Sequence, residues 1–266
     1  MCILAFSWQP QQQRLRLLAN RDEFYARPTA PAQWWPDSPH IWAGRDLEAG
    51  GTWLGVSKSG RFAALTNVRE GSAGSGPRSR GELVSGFLST SLNSEQYLQQ
   101  VLAEGEQYAG FNLLLGDMAN GELWYGGNRL SAAAQQLTGG VYGLSNAGLN
   151  TPWPKVERLK QGVAAWVVEN ETPRATLTSQ GEAAALALLS DPQLADRDTL
   201  PNTGVGAELE SLLSAIFIHT PTYGTRAHTL LSIEAEQLYI VEQGRGPQGE
   251  LLERRQTDFY FASSER

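Results

Sequence analysis

Residues 1–24, MCILAFSWQPQQQRLRLLANRDEF, contain two short apolar runs on either side of a polar turn. The first run covers residues 3–6, the turn covers 10–12 and the second run covers 15–18. This pattern predicts a strand, a turn and a second strand. Because the hairpin begins almost at residue 1, we expect the start of the chain to be held in a sheet.

The remainder of the chain repeats this organisation, with strands in pairs and a few helices between them. Further strands are predicted at residues 52–57, 61–67, 111–116, 123–125, 141–145, 216–218, 229–233, 238–241 and 259–261. Apolar residues at helical spacing predict helices at 94–104, 154–168 and 182–189. Paired strands with interleaved helices favour one α+β domain over residues 1–266, with antiparallel sheets and helices on the outer faces.

Composition and charge exclude several classes of protein. The 266 residues are 41% hydrophobic and 18% charged, which is typical of a globular protein and excludes a wholly disordered chain. The net charge of −7 argues against nucleic acid as a partner. The sequence has no apolar run long enough for an integral membrane segment.

Cysteine usage and the first residues indicate a compartment. A single cysteine excludes an internal disulfide framework and a cysteine-based metal cage. The first residues lack the basic leader and the long apolar run of a signal peptide. We therefore expect a cytoplasmic protein with a reduced thiol, and neither a metal nor a nucleotide cofactor.

Cys2 is the first candidate for chemistry. If the initiator methionine were removed, one residue would carry both a thiol and a free α-amine. The thiol would then be the nucleophile and the amine its base, as in enzymes with an N-terminal threonine. The alternative is that Cys2 is a small buried side chain at the start of a strand.

The second candidate is the run Asn20, Arg21, Asp22 and Glu23 at the end of the second predicted strand. In an extended chain Asn20 and Asp22 face one side, and the other two residues face the opposite side. Pairing across the turn brings residue 2 close to residues 20–22. Arg21 would then lower the thiol pKa, and Asp22 would hold the α-amine. The alternative is a charged turn with surface ion pairs, which stabilise little.

Later residues supply further candidates. Asn67 and Asn146 each end or follow a predicted strand, where an asparagine suits an oxyanion hole but also suits a turn. Arg226, which follows the residues YGT at 223–225, is a further candidate donor. Trp34, together with the tryptophans at 35 and 42, would line an apolar ligand cleft or belong to the core. The scattered residues His40, His219, His228 and Met118 form no metal motif, although any one of them would serve as an axial haem ligand or simply pack.

Several segments closely resemble the NRDE family, also called the Transport and Golgi organization 2 family. They are MC at 1–2, LANRDEFY at 18–25, RPT at 27–29, GRDLEAGGTWLG at 44–55, SGRFAALTN at 59–67, GLSN at 143–146, TPWPK at 151–155 and YGTR at 223–226. The resemblance implies an N-terminal-nucleophile hydrolase-like fold, a four-layer αββα sandwich. Bile-salt hydrolases and penicillin V acylases share this fold.

The resemblance also implies roles for particular residues. Cys2 matches the nucleophile of those hydrolases, Asn146 the oxyanion-hole asparagine and Arg226 a late arginine. Arg21 and Asp22 match an arginine–aspartate pair loosely, because the two are adjacent here. Asn67 matches a second asparagine.

Members of the family are implicated in moving haem and in handling acyl-CoA or lipid. The resemblance therefore implies haem binding and transfer to haem-accepting proteins. We expect the haem, or a similar small amphipathic ligand, to lie in an apolar cleft near Cys2. The residues expected to border it are Asn20, Arg21, Asp22, Glu23, Trp34, Arg45 and Trp53, with Arg21, Arg45 or Arg226 neutralising the ligand's carboxylates. The alternatives are a cysteine amidohydrolase or thioesterase that acts through Cys2, and an acyl-CoA or lipid-binding module.

Overall fold

Two antiparallel sheets form the centre of the molecule in the computed structural model, which describes residues 2–71, 76–129, 131–172 and 174–261. The first sheet has the strand order β10-β1-β2-β11-β12-β13. Its strands are β1 (Cys2–Gln9), β2 (Arg14–Phe24), β10 (Gly140–Leu144), β11 (Tyr223–Glu234), β12 (Gln237–Arg245) and β13 (Leu251–Tyr260). The second sheet runs in sequence order through β3 (Thr29–Trp35), β4 (Ser38–Asp46), β5 (Leu54–Ser57), β6 (Arg61–Asn67), β7 (Phe111–Asp117), β8 (Glu122–Gly127) and β9 (Ser131–Gln136).

The helices lie outside the two sheets. They are α1 (Gly81–Ser89), α2 (Ser94–Ala103), α3 (Pro154–Glu169), α4 (Ser179–Leu189) and α5 (Ala207–Leu212). Helices α3 and α4 contact the first sheet, and α1 and α2 contact the second. This layering confirms the predicted αββα sandwich.

The alternation of side chains along β1 explains the layers. Leu4, Phe6 and Trp8 are buried between the two sheets, whereas Ile3 and Ala5 are buried under the helices. A strand with apolar residues on both faces is stable only when both faces are covered. The first strand therefore requires a second sheet on one side and helices on the other.

Strand register brings the polar candidates to one end of the sandwich. Cys2 lies directly opposite Arg21 in the antiparallel pair of β1 and β2, as the hairpin pattern predicts. On the far side of β2, Thr225 of β11 lies opposite Asp22. The register then shifts at a bulge that contains Arg226.

Some elements differ from the sequence-based predictions. Residues 216–218 were predicted as a strand and form a loop, although Ile216 and Ile218 are buried. Strands β3 and β4 were not predicted, because their tryptophans and prolines obscure the alternation that marks a strand. None of the helices in the described residues is both long enough and apolar enough to cross a membrane.

Candidate active site

A cleft of about 460 Å³ opens at the end of the sandwich where the polar strand ends meet. Its walls come from the ends of β1 and β2 in one sheet, from the segments around β5 and β6 in the other, and from the start of α1. The predicted residues that line it are Cys2, Arg21, Asp22, Glu23, Trp53 and Asn67. The structure therefore gathers six of the eleven candidates in one place.

Cys2 is half-buried at this cleft, on the face of β1 that points toward the second sheet. Its backbone carbonyl accepts a hydrogen bond of 3.0 Å from Ser145 Oγ. Burial raises the pKa of the Cys2 thiol, and the negative charge of Asp22 raises it further, while Arg21 opposes the rise. A thiol of this kind is protonated at neutral pH and requires a base to become a nucleophile.

Arg21 holds its guanidinium in the cleft wall although the side chain is only 6% exposed. The guanidinium carbon lies 4.3 Å from the centre of the Trp53 ring, a cation–π contact that joins the two sheets. Nη2 is 3.9 Å from Glu23 Oε2. Nη1 is buried and has no hydrogen-bond partner among the described residues. Arg21 therefore places a buried positive charge at the cleft wall, with one guanidinium nitrogen that makes no hydrogen bond to the described residues.

Asp22 borders the cleft and also faces the helix layer. Its Oδ1 accepts a 2.7 Å hydrogen bond from Thr225 Oγ1, the residue opposite it in β11. Burial raises the pKa of the Asp22 carboxyl, and the positive charges of Lys155 and Arg69 counteract that rise. The strand pairing thus fixes the carboxylate in one orientation.

Lys155 is a buried residue of this region to which the sequence analysis assigned no role. Its side chain is 2% exposed, and Nζ has no hydrogen-bond partner in the part of the chain that the structure describes. Burial lowers the pKa of the Lys155 ammonium to about 8. Its position in the sequence could have indicated a role, because a lysine in the first turn of a helix interacts unfavourably with the helix dipole.

Arg69 and Glu210 form a second buried feature that sequence reasoning missed. Arg69 Nη1 donates a 2.6 Å hydrogen bond to Glu210 Oε2, and both side chains are almost fully buried. The other Glu210 oxygen accepts from the backbone N–H of Thr203 at 2.7 Å. The Arg69 guanidinium also lies 4.7 Å from the Trp153 ring. This pair anchors α5 next to Asp22 and Lys155.

The two asparagines differ in position. Asn67 lines the cleft, whereas Asn146 is buried behind it. Asn146 Nδ2 donates to the Asn67 carbonyl at 2.9 Å. Its Oδ1 lies 3.2 Å from Ser145 Oγ and shares that hydroxyl's single proton with the Cys2 carbonyl. One N–H of the Asn146 amide is therefore engaged in joining the end of β6 to the end of β10.

Asn20 lies outside the cleft, contrary to its predicted place at the border. Its side chain is 1% exposed, and Nδ2 donates to the carbonyls of Leu189 and Ile216, both at 2.8 Å. Those two bonds fix the amide orientation, so Oδ1 accepts from Nδ1–H of the buried His228 at 2.5 Å. The period-2 geometry of β2 points Asn20 at α4 and away from Arg21. Asn20 therefore joins the sheet to its helix layer.

Three further candidates also lie away from the cleft. Arg226 Nη1 donates to the carbonyls of Phe24 and Arg27, and so holds the turn after β2. Arg45 binds Asp37 through two hydrogen bonds of 2.7 and 2.8 Å, in a separate groove. The Trp34 ring lies 5.4 Å from that of Phe259 and packs against the core between the sheets.

The cleft lining is mostly polar and charged, which corrects the expectation of an apolar cleft. Besides the residues above, Arg27, Asp46, Glu48, Arg78 and Arg80 line it. Arg27 Nε donates to Asp46 Oδ2 at 2.7 Å, and its Nη1 is 3.3 Å from Glu48 Oε2. Arg80 donates to the Gly110 carbonyl at 3.0 Å. Such a lining suits a ligand with polar groups near Cys2.

Two solved structures that resemble this chain are a bile acid hydrolase and an acid amidase. The C2A mutant of a conjugated bile acid hydrolase from Clostridium perfringens is 12% identical, with a TM-score of 0.45 over 100% of this chain and 99% of that one. An orthologue of N-acylethanolamine-hydrolyzing acid amidase from Caenorhabditis elegans is 9% identical, with a TM-score of 0.38 over 71% of this chain and 86% of that one.

Curated relatives share most of their length with this chain. Transport and Golgi organization protein 2 homologs from Bos taurus and Homo sapiens are 39% and 38% identical, and each match covers 89% of this chain and 90% of the relative. The Drosophila melanogaster protein is 28% identical over 94% of this chain and 95% of its own length. The family profile described as Transport and Golgi organisation 2 matches residues 1–244. The chain therefore belongs to the Transport and Golgi organisation 2 family.

Proposed function

We propose that this protein is a cysteine N-terminal-nucleophile hydrolase that cleaves an amide bond through Cys2. The observation that carries the proposal is the position of Cys2, a half-buried residue that lines a polar cleft and lies directly opposite Arg21 in the strand register. A nucleophile needs access to substrate, a base and a stabilised negative charge. The cleft gives substrate access to Cys2. The residues around it are the candidates for the base and for stabilising the negative charge.

The base in this proposal is the α-amine of Cys2, which becomes free when Met1 is removed. Met1 lies outside the described residues. Because burial raises the pKa of the thiol, the thiol alone is a poor nucleophile at neutral pH and needs a base on the same residue. Asp22 lies close enough to interact electrostatically with Cys2, and its orientation is fixed by Thr225. Its carboxylate would hold the amine.

The reaction has two steps. Sγ bonds to the amide carbonyl carbon, the thiol proton passes through the α-amine to the leaving nitrogen, and the C–N bond breaks. Water then hydrolyses the thioester and restores the thiol. Asn67, at the cleft wall, would donate to the developing oxyanion, while Asn146 would position the Asn67 backbone through its 2.9 Å hydrogen bond.

The test combines mass measurement with turnover. The purified full chain is first weighed to establish whether Met1 is absent. Wild type, Cys2→Ala and Cys2→Ser are then compared on N-acyl amides and acyl thioesters of several chain lengths. We expect turnover and an acylated Cys2 in wild type only, with all three variants equally folded. Turnover that survives Cys2→Ala, or a wild-type chain that is active with Met1 retained, would contradict the proposal.

Haem transfer is a second candidate function, favoured by the combination of a thiol with arginines in one cleft. A Cys2 thiolate would ligate the iron, and Arg21 would pair with a propionate. His40, His219, His228 and Met118 are not among the described residues that line the cleft, so none of them supports this role. Haem titration should then give a Soret shift and transfer to an apo-acceptor that both disappear in Cys2→Ala. Saturable acyl-CoA binding that survives Cys2→Ala would instead support a binding module.

A further inference from the structure

Strand β13 forms an outer edge of the six-stranded sheet. Among the described residues this ten-residue strand pairs with β12 alone. Most of its side chains are exposed, including Leu251 at 65% and Tyr260 at 75%. An edge of this length presents a row of unpaired N–H and C=O groups, which form a template for another strand.

The two faces of β13 are defined by their contacts. Phe259 packs against the core between the sheets, so odd-numbered residues from Arg254 to Tyr260 point that way; a register shift against β12 interrupts the alternation between Leu251 and Arg254. Arg254 Nη2 donates to Glu182 Oε1 of α4 at 2.7 Å, so even-numbered residues point toward the helices. If a second copy extends the sheet about a two-fold axis perpendicular to the sheet, its odd-numbered residues lie on the same face as those of the first copy, and so do its even-numbered residues. Residues opposite each other must therefore both be even-numbered or both odd-numbered.

Registers centred on Arg255, Gln256 or Thr257 satisfy this condition over the regular part of the strand, residues 254–260. The register centred on Thr257 leaves no acidic residue opposite a basic one. A register centred on Arg255 places that arginine against its own copy and leaves no acidic residue opposite a basic one. A register centred on Gln256 places Arg254 opposite Asp258 of the second copy, twice by symmetry. Opposite charges directly across two strands are stabilising.

We propose that two copies of this chain associate edge to edge through β13, in the antiparallel register centred on Gln256. The six strands of each copy then form one continuous sheet. Glu182 orients the Arg254 guanidinium in each copy, so part of the ordering entropy is lost before association. The surface is independent of the cleft at Cys2.

Sedimentation velocity on the full chain at micromolar concentration tests the proposal. Wild type is expected to be a dimer. Asp258→Arg places two arginines against each other at both ends of the interface, and Arg254→Asp does the same with aspartates. Each variant alone should weaken association at least tenfold, because like charges face each other. A 1:1 mixture should restore a dimer, because every arginine then meets an aspartate.

Glu253→Arg is the matched control. It changes the net charge by as much as Asp258→Arg does, but Glu253 lies at the register shift, outside the regular stretch that contains the Arg254–Asp258 pairs, so the dimer should persist. A wild-type chain that stays monomeric at 100 µM would overturn the proposal. A dimer that persists in Asp258→Arg would also overturn it. This result is decisive even if Arg254→Asp, which loses its bond to Glu182, fails to fold.

Discussion

Replacing Asn20 with alanine is expected to destabilise the protein while leaving the Cys2 thiol reactive. The Asn20 amide makes three buried hydrogen bonds, to the carbonyls of Leu189 and Ile216 and to the ring of His228. Leu189 is the last residue of α4, so its carbonyl has no partner within the helix. The Asn20→Ala substitution therefore removes one hydrogen-bond partner from each of three buried groups, namely the two carbonyls and the His228 ring N–H.

The size of the effect follows from those three groups. A buried polar group that loses its partner costs about 1–3 kcal/mol, and a carbonyl with a second lone pair lies at the low end of that range. The sum is about 3–5 kcal/mol in the free energy of unfolding. Since a domain is stable by about 5–15 kcal/mol, this is a large fraction of the total. We expect a fall of about 1–2 M in the urea midpoint for a slope of about 3 kcal/mol per molar.

Urea unfolding followed by tryptophan fluorescence measures the change, and iodoacetamide labelling of Cys2 in the folded protein measures the site. Asn67→Ala removes the same kind of side chain from the cleft wall and should alter stability by less than about 0.5 kcal/mol, as expected for a residue outside the core. If Asn20→Ala unfolds within about 1 kcal/mol of wild type, the reasoning from unsatisfied groups is refuted. If it stays stable and Cys2 stops reacting, Asn20 belongs to the site.

Three further predictions concern buried charge. Burial lowers the pKa of His228 from 6.5 to about 3, so the folded state resists protonation and stability should fall as the pH drops through that window; urea midpoints measured at pH 7, 5 and 4 should decline in wild type and less in His228→Gln. Arg69→Met leaves the Glu210 carboxylate buried alone and should cost about 3–5 kcal/mol in thermal or urea unfolding, with more than half recovered when Glu210→Gln is added; no recovery would contradict the ion pair. Arg21→Gln removes the positive charge that opposes the raised thiol pKa of Cys2, so labelling by iodoacetamide at pH 8 should slow severalfold, and an unchanged rate would count against this coupling.

The fold was predictable where alternation is simple. The hairpin of β1 and β2 and the register that joins Cys2 to Arg21 follow from two apolar runs and a proline turn. The prediction failed at residues 216–218, where a short apolar run packs in a loop. Local pattern cannot separate such a run from a strand, because both bury their side chains.

The position of the candidate residues at the cleft was predictable in part, for a related reason. Cys2, Arg21, Asp22 and Glu23 are close in the hairpin, so their meeting needed only local pairing. Lys155 and Arg69 reach the same region from distant elements, and charge–charge contacts across such separations leave no periodic signal. Arg45 resembles a binding residue in sequence, but an aspartate eight residues earlier already holds it.

The cleft draws its walls from both sheets, and this has a mechanical consequence. Cys2 and Arg21 belong to one sheet, while in the other sheet Trp53 precedes β5 and Asn67 is the last residue of β6. The distance from the Cys2 thiol to the wall formed by Trp53 and Asn67 therefore depends on how closely the two sheets pack. Trimming a large side chain deep in the shared interior, such as Phe62, would shift that spacing without touching the cleft. The reactivity of the Cys2 thiol therefore depends on how closely the side chains pack between the two sheets.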